Sequence, residues 1–246
     1  MINFIRKFLL FGVFILLLNS CARAPVPPIP LPPTPPLPRA DTVHTVGPGE
    51  TFWRIAKMYD VPATAIMDVN NIANPQDLKM GQHLTIPHAA QIKPIVTLYP
   101  TKKWKYIIIH HSATDECSSL AFHHMHLKKG WDKGVGYHFV IDNATSEKQD
   151  GQIEATPRWI KQLDGAHCKA SDMNTRAIGI CLVGNFDKEH LTRQQMDSLV
   201  YLVSLLRKNY KIPIKNIIRH GYVHGAATDC PGTHFPWNEF LEKLDK

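Results

Sequence analysis

The chain contains few cysteines, 5 among 246 residues, and so few thiols exclude a scaffold held together by disulfides. It has no H-E-x-x-H sequence, which excludes the helix that many zinc proteases use for catalysis. A composition of 44% hydrophobic and 20% charged residues excludes a collagenous or wholly disordered chain, and the length allows one or two domains. Histidine, in contrast, is abundant with 14 residues, which directs attention to metal binding.

The first 21 residues have the features of a secretory signal. Arg6 and Lys7 precede an apolar run over residues 8–18, which is far short of the about 20 residues needed to cross a bilayer. The sequence Leu-Asn-Ser-Cys at 18–21 resembles a bacterial lipobox, which implies that Cys21 is lipidated and becomes the new N-terminus. Ala22 after it implies an anchor in the outer membrane, facing the periplasm. The alternative is an ordinary signal peptide in which Cys21 is incidental.

Residues 22–41 form a predicted linker dominated by proline. More than half of residues 24–39 are proline, which fixes φ and removes hydrogen-bond donors, so polyproline II is the expected conformation. At about 3.1 Å per residue, this segment would hold the following domain some tens of ångströms from a membrane. A ligand for a proline-binding domain is the alternative, but beside a lipid anchor we favour the spacer.

Residues 42–90 carry two short helical patterns between two short strands. Thr51 is the predicted N-cap of the first helix, and Pro62 begins the second. The stretches HTVGPGET, IAKMYDV, NNI and GQHLTIP follow the order and spacing of the LysM module, which this segment resembles. The resemblance implies a βααβ fold that binds N-acetylglucosamine-containing glycan through Gly49, Thr51, Asn71 and Ile72. Taken singly, each of these four residues could equally well do no more than close a turn.

After a linker at residues 91–101, strand and helix patterns alternate through residues 102–246. Helices are predicted from Ser118 or Ser119 to Lys129, and from a capping box at Thr192 and Gln195 to a stop before Pro213. Apolar runs and a hairpin-like pair predict strands over residues 106–109, 137–142, 152–155, 178–183 and 216–219.

Two of the predicted strands lead directly into histidine, at His110 and at His220. A strand end is a rigid mounting at the rim of a sheet, and Cys230 follows shortly afterwards, before a Pro-Gly turn that would hold its thiol. Two imidazoles and one thiolate form a ligand set that binds zinc and leaves a fourth position for water. His111 should point to the opposite face of its strand, so we leave it out of this set. Chance pairs of core or surface histidines remain the alternative.

Six sequence blocks between Trp104 and Trp237 add a family pattern: IIIHHSAT, GWDKGVGYHFVID, GAHC, MNTRAIGICLVGNF, RHGYVHGAATDCPG and FPW. In this order they resemble the zinc N-acetylmuramoyl-L-alanine amidases of the phage-lysozyme and peptidoglycan-recognition-protein family. The resemblance implies an α/β fold with a mixed central β-sheet and flanking helices, preceded here by the small LysM module. It also implies hydrolysis of the amide between the lactyl group of muramic acid and L-alanine.

The resemblance assigns roles to individual residues. His110, His220 and Cys230 match the family's zinc ligands. Tyr137 matches a tyrosine beside the metal-bound water, where a phenol could donate to that water or to a developing oxyanion. Thr228 matches a position at which members carry Lys or Thr to stabilise the tetrahedral intermediate. Where one branch of the family has a glutamate base this chain has Cys181, so the resemblance places it in the tyrosine branch.

Three further matches, His167, Asn174 and His126, are expected near the substrate groove, with a structural role as the alternative for each. Cys117 and Cys168 flank the matching blocks and could pair in an oxidising compartment, although sequence leaves that connectivity open.

Two functions are compatible with these observations. The first is a lipid-anchored zinc amidase whose LysM module raises the local concentration of peptide stems by holding the glycan strand. The second is a non-catalytic peptidoglycan-recognition protein, a kind of relative that has typically lost the ligand cysteine, whereas Cys230 is present here. The net charge of +7 singles out no partner, and without a basic-aromatic motif we expect no nucleic acid. We expect a monomer that binds both the glycan strand and the peptide stem of peptidoglycan.

Overall fold

The structure is a computed structural model that describes residues 38–100 and 103–245. The predicted signal peptide with Cys21, and the proline-rich segment up to residue 37, lie outside the described residues. Within the described ranges, no helix has both the length and the apolar character that crossing a membrane requires.

A small module, residues 40–89, has the two helices between two strands that the sequence predicts. The Thr51 hydroxyl caps the first helix by accepting a hydrogen bond from the Arg54 N–H at 3.3 Å. The two strands pair antiparallel, and Ile55, Ile66 and Leu84 are completely buried between sheet and helices. The elements are β1 (Ala40–Thr45), α1 (Phe52–Tyr59), α2 (Ala63–Val69) and β2 (His83–Ala89), with a 3-10 turn at Pro75–Asp77.

A large module, residues 104–245, contains five strands, five helices and three 3-10 turns within the described residues. The turns lie at Ala170–Asp172, Ile214–Asn216 and His220–Tyr222. The strands and helices are β3 (Tyr106–His111), α3 (Ser119–Lys128), β4 (Phe139–Asn143), β5 (Asp150–Ala155), α4 (Pro157–Ile160), α5 (Met173–Arg176), β6 (Ala177–Leu182), α6 (Arg193–Tyr210), β7 (Ile217–Arg219) and α7 (Trp237–Leu244).

The five strands form one mixed sheet in the order β5-β4-β6-β3-β7. The β4–β5 pair is antiparallel, as the hairpin-like pattern predicts, and the other pairs are parallel. The expected α/β fold with a mixed central sheet is therefore confirmed.

Alternation along the strands separates the core from the site. Ile107 and Ile109 of β3 face the larger core, whereas Ile108 and His110 face the other side of the sheet. Helix α6 covers the core side with an apolar stripe that includes Leu199, Val203 and Leu206, all completely buried. The main core thus lies behind the sheet, and the sheet's other face is left to carry His110.

Three helices are not predicted from the sequence, and two strands are longer than predicted, since β5 begins at Asp150 and not at residue 152. Helices α4 and α5 have four residues each, which is too short to show a helical period, and α7 has eight. The predicted strand over 106–109 continues in β3 through His110 and His111, which pair with Cys181 and Leu182 of β6. Both histidines therefore lie within the sheet and not beyond its end.

A buried polar contact joins the two modules. The Lys148 ammonium lies 3.2 Å from a Glu154 carboxylate oxygen and donates to the Thr45 carbonyl of the small module at 3.2 Å. Glu154 also accepts hydrogen bonds from the Ser119 N–H at 2.7 Å and the Ser119 hydroxyl at 2.8 Å, at the start of α3. At the exposed edge of the contact, Glu147 accepts from the Thr45 hydroxyl and lies 3.1 Å from His83. The small module is thus tied to the sheet and to a helix of the large module.

Candidate metal centre

Three side chains from separate segments of the large module meet on the site face of the sheet. His110 comes from β3, His220 follows β7, and Cys230 comes from the loop before α7. Their potential ligand atoms all lie within 4.8 Å of one another, close enough for one ion to contact all three. The Cys230 Sγ lies 3.7 Å from Nδ1 of His110. The sequence-predicted ligand set is therefore brought together.

A close approach of two backbone segments positions His220 and Cys230. The Gly221 N–H donates to the Cys230 carbonyl at 2.8 Å. A Cβ at Gly221 would lie 2.3 Å from the Thr228 carbonyl oxygen, so only glycine permits this approach. The rigid parallel strands β3 and β7 fix the other side of the cluster.

The protonation states of the three groups suit a divalent cation. Burial lowers the pKa of His110 well below its usual value and lowers the pKa of His220, which keeps both imidazoles neutral with a lone pair to donate. Burial raises the pKa of the Cys230 thiol to about 12, so a neighbouring positive charge is needed to hold it as thiolate. The His111 N–H donates to Sγ of Cys230 at 3.4 Å, which also favours the thiolate. The donor set fits zinc, which takes neutral imidazole and thiolate ligands.

Tyr137 lies beside the cluster, as the sequence analysis expects. Its ring centroid is 5.3 Å from that of His110 and 5.2 Å from that of Phe122 on α3. Burial, followed by the nearby Cys181 and Cys230, raises the pKa of Tyr137 well above its usual value. The phenol is therefore neutral and able to donate a hydrogen bond.

Thr228 lies two residues before Cys230 in an exposed loop. Its Oγ1 accepts a hydrogen bond from the Cys230 N–H at 3.2 Å. Because the hydroxyl acts as acceptor in that contact, its own proton is left to donate elsewhere.

The three expected substrate contacts, His167, Asn174 and His126, make internal hydrogen bonds in the structure. His167 is buried behind the cluster, and its Nδ1 lies 3.0 Å from Nε2 of His110. Asn174 Oδ1 accepts from the N–H groups of His167 and Cys168, both at 2.8 Å. His126 is buried, and its Nδ1 accepts from the Gly136 N–H at 3.0 Å. These contacts match the structural alternative for each residue, while a contact with substrate stays a prediction.

His111, which the sequence directs away from the cluster, does lie elsewhere. His111 Nδ1 accepts from the Phe186 N–H at 3.2 Å, on the core side of β3. Cys117 and Cys168, whose pairing the sequence leaves open, are free thiols in different hydrophobic clusters, so the structure does not join them. Cys117 instead packs with Cys181 and Phe122 beneath Tyr137.

The predicted glycan contacts of the small module lie at loops and caps. Gly49 has a positive φ of 78°, and a Cβ there would lie 3.1 Å from Ile160 of α4, so this loop abuts the large module. Thr51 is exposed at the cap of α1, Asn71 is exposed with a φ of 55°, and Ile72 packs against the small module's core. The structure therefore gives each a local role, and their contact with glycan stays a prediction.

The sequence did not reveal two features around the site: the buried position of His167 behind the cluster and the contact between the two modules. Gly179 within an apolar strand is the available signal, because glycine inside a strand often marks a close approach of another group. Here that group is the His167 imidazole. The contact between the modules left no local pattern, because Lys148 and the Thr45 carbonyl to which it donates lie 103 residues apart in sequence.

A mixed sheet that presents two histidines and a cysteine on one face defines an α/β protein with a candidate metal centre. Comparison with known families identifies it further. A family model described as N-acetylmuramoyl-L-alanine amidase matches residues 100–233, just over half of the chain, and a LysM domain model matches residues 44–87. The chain therefore belongs to the N-acetylmuramoyl-L-alanine amidase family and carries a LysM domain on its N-terminal side.

Individual relatives agree with this assignment. Peptidoglycan-recognition protein SC2 of Drosophila simulans is 32% identical over 143 residues, which cover 54% of this chain and 71% of the relative. The endolysin of Escherichia phage T7 is 36% identical over 111 residues, 42% of this chain and 66% of the endolysin. Among solved structures, the N-acetylmuramoyl-L-alanine amidase LysC of Clostridium intestinale URNW is 32% identical with a TM-score of 0.50, covering 63% of this chain and 95% of LysC.

Proposed function

We propose that the protein is a zinc-dependent N-acetylmuramoyl-L-alanine amidase that hydrolyses the amide between N-acetylmuramic acid and L-alanine. The observation that carries this proposal is the meeting of His110, His220 and Cys230 within 4.8 Å on one face of the sheet. Family membership supports the bond class, and the LysM domain supports binding of the glycan strand beside the cut peptide stem.

The residues of the chain divide the chemistry among them. His110, His220 and Cys230 would hold the zinc ion, which when bound supplies Lewis acidity for activating water and polarising the amide. Tyr137, held neutral by burial, donates a hydrogen bond to the oxygen on which negative charge develops. Thr228 donates its free hydroxyl proton to the same region, without a charge, so its contribution is smaller than that of a lysine.

The setting of the enzyme is part of the same proposal. A lipid on Cys21 would anchor the chain in the outer membrane, facing the periplasm, with the predicted linker up to the start of β1 at Ala40 as a spacer. We infer that it acts as a monomer on peptidoglycan. A non-catalytic recognition protein is the second candidate, and the presence of Cys230 beside both histidines favours the enzyme.

The deciding experiment incubates the full chain, solubilised in detergent, with purified muropeptides and identifies the products by mass spectrometry. We expect release of peptide stems at the L-alanine amide, loss of that activity with EDTA, and recovery with zinc. Cys230→Ser removes the thiolate ligand, so we expect loss of zinc and of turnover in a protein that still folds. Muropeptide binding that is indifferent to chelator, with no stem released, would instead establish a recognition protein.

A further inference from the structure

His167 occupies a buried position between a candidate metal ligand and the backbone. Its Nδ1 lies 3.0 Å from Nε2 of His110, and its Nε2 lies 3.4 Å from the carbonyl oxygen of Ala177. The two imidazole rings meet edge to face with centroids 5.0 Å apart. This arrangement places one histidine directly behind another, on the side away from Cys230.

The Ala177 carbonyl fixes the direction of both hydrogen bonds of His167, the one to Ala177 and the one to His110. A carbonyl oxygen only accepts, so the Ala177 contact requires the proton of a neutral His167 to be on Nε2. Its Nδ1 then carries a lone pair and can accept only from Nε2–H of His110. His110 is thereby left with its lone pair on Nδ1, the nitrogen that lies 3.7 Å from the Cys230 sulfur.

The fold makes room for this imidazole at two glycines. A Cβ at Gly165 or at Gly179 would lie 2.3 Å from Cδ2 of His167, closer than real side chains come. Asn174 fixes the backbone of the same loop by accepting from the His167 N–H at 2.8 Å. The ring is therefore clamped between β6 and the loop, and its orientation is set before any ion arrives.

We propose that His167 is a positioning residue that holds His110 in the tautomer with Nδ1 free for the metal. The proposal rests on the proposed zinc function and deepens it. Metal-binding histidines usually donate their second N–H to a carboxylate, carbonyl or water, and losing such a partner typically costs about 10–100-fold in metal affinity. In this chain the imidazole of His167, itself bonded to the Ala177 carbonyl, is the acceptor for the second N–H of His110.

Zinc affinity of the full chain, measured by competition with a chromophoric chelator, tests the hydrogen bond. His167→Leu removes the acceptor, and we expect the zinc Kd to rise about 10–100-fold. His167→Asn keeps an acceptor at the position of Nδ1, so we expect most of the affinity to return. His126→Leu is the matched control, because His126 is also a buried histidine that accepts from a backbone N–H, and its zinc Kd should not change. An unchanged Kd in folded His167→Leu, or equal losses in the Leu and Asn variants, would overturn the proposal.

A second readout needs no zinc and no variant. Long-range proton–nitrogen NMR of the zinc-free protein reports which ring nitrogen of each histidine carries the proton. We expect protonated Nε2 on both His110 and His167, and a proton on Nδ1 of His110 would refute the assignment. If both readouts agree with expectation but muropeptides stay uncut, the amidase function fails while the role of His167 stands.

Discussion

Tyr137 is surrounded by the aromatic rings of His110 and Phe122, and its hydroxyl is the group that we assign to the developing oxyanion. Tyr137→Phe keeps the ring packing and removes only the donor. Loss of one such donor typically lowers kcat by about 10²–10³, and we expect that effect here with the zinc content unchanged. Product formation over time gives kcat, and metal analysis gives the zinc content. Tyr201→Phe, at an exposed position of α6, is the control. A variant with wild-type kcat would remove Tyr137 from the chemistry.

A second residue-scale expectation concerns Asp142, which is completely buried in β4. Burial, followed by repulsion from the Glu154 carboxylate, raises the pKa of Asp142 well above its usual value. A carboxyl whose pKa is raised on folding stabilises the protein below the unfolded pKa and loses that contribution as pH rises through the folded pKa. Asp142→Asn cannot ionise, so we expect its free energy of unfolding to fall less than that of wild type as the pH rises above about 4, the unfolded pKa of aspartate.

Urea unfolding at several pH values measures this difference. The free energies of unfolding of the two proteins should move apart as the pH rises above the unfolded pKa of aspartate, with wild type losing more. Parallel curves for wild type and Asp142→Asn would show that Asp142 does not titrate with folding.

The ligand residues could be predicted from the sequence, whereas the hydrogen bonds of the histidines around them could not. Position before a strand end or a Pro-Gly turn only suggests His110, His220 and Cys230 and leaves chance pairs open. The family resemblance assigns them as ligands, and the cluster distance agrees with that assignment. The internal hydrogen bonds of His167 and His126 could not be predicted, since each depends on a backbone group brought close by the sheet or by a loop.

At the scale of elements, α6 illustrates a helix whose start is written in its sequence. The Thr192 hydroxyl accepts from the Gln195 N–H at 3.0 Å, while the Gln195 side chain accepts from the Thr192 N–H at 3.3 Å. The Thr192 hydroxyl also donates to Asp150 of β5 at 2.8 Å. The capping box predicted for this helix is therefore confirmed and also ties it to the sheet.

Thr192→Ala should destabilise the protein, because it removes the cap and the contact with β5 together. Replacing an N-cap threonine by alanine costs about 0.5–2 kcal/mol, and we expect the free energy of unfolding to fall by an amount at the upper part of that range. Thr192→Ser retains the hydroxyl and should remain close to wild type. Guanidinium unfolding followed by circular dichroism compares the three proteins, and equal stabilities would contradict the role of the cap.

The helices that the sequence did not predict, α4, α5 and α7, have no such capping signal at their start. Helix α7 places Trp237 under the Arg219 guanidinium, 5.0 Å from the ring centroid, and so packs beside the strand that precedes His220. Its apolar residues recur at helical spacing, and Phe240 and Leu244 are buried, so the sequence did carry a local signal for this helix after Pro236.

At the scale of the whole molecule, Lys148 joins the two modules by donating a hydrogen bond to the Thr45 carbonyl of the small module. Its ammonium is paired with Glu154 of its own module, and both side chains are almost entirely removed from solvent. Burial alone would lower the pKa of Lys148, but Glu154, Glu50 and Asp142 outweigh it, so the pKa is raised and the ammonium stays charged. Lys148→Met leaves Glu154 buried without its cation. Breaking a buried pair on one side costs about 3–5 kcal/mol, and we expect that loss in the free energy of unfolding.

The double variant Lys148→Met/Glu154→Gln distinguishes the ion pair from simple packing. Because it removes both charges, we expect part of the lost stability to return. Lys133→Met, at an exposed position, is the matched control and should have little effect. If the double variant is no more stable than Lys148→Met, the stability lost in Lys148→Met does not come from leaving the Glu154 charge unpaired.

The buried contact of Lys148 with the Thr45 carbonyl also has a geometric consequence. If the LysM domain binds glycan and the large module cleaves peptide stems, as we propose, this contact would keep the two sites at a constant distance. Sugars held at the Asn71 loop would then set which stem along the same strand reaches the cutting centre. Cleavage along long glycan strands would then remove stems at regular intervals. In Lys148→Met, which lacks the contact with Thr45, we expect those intervals to become irregular.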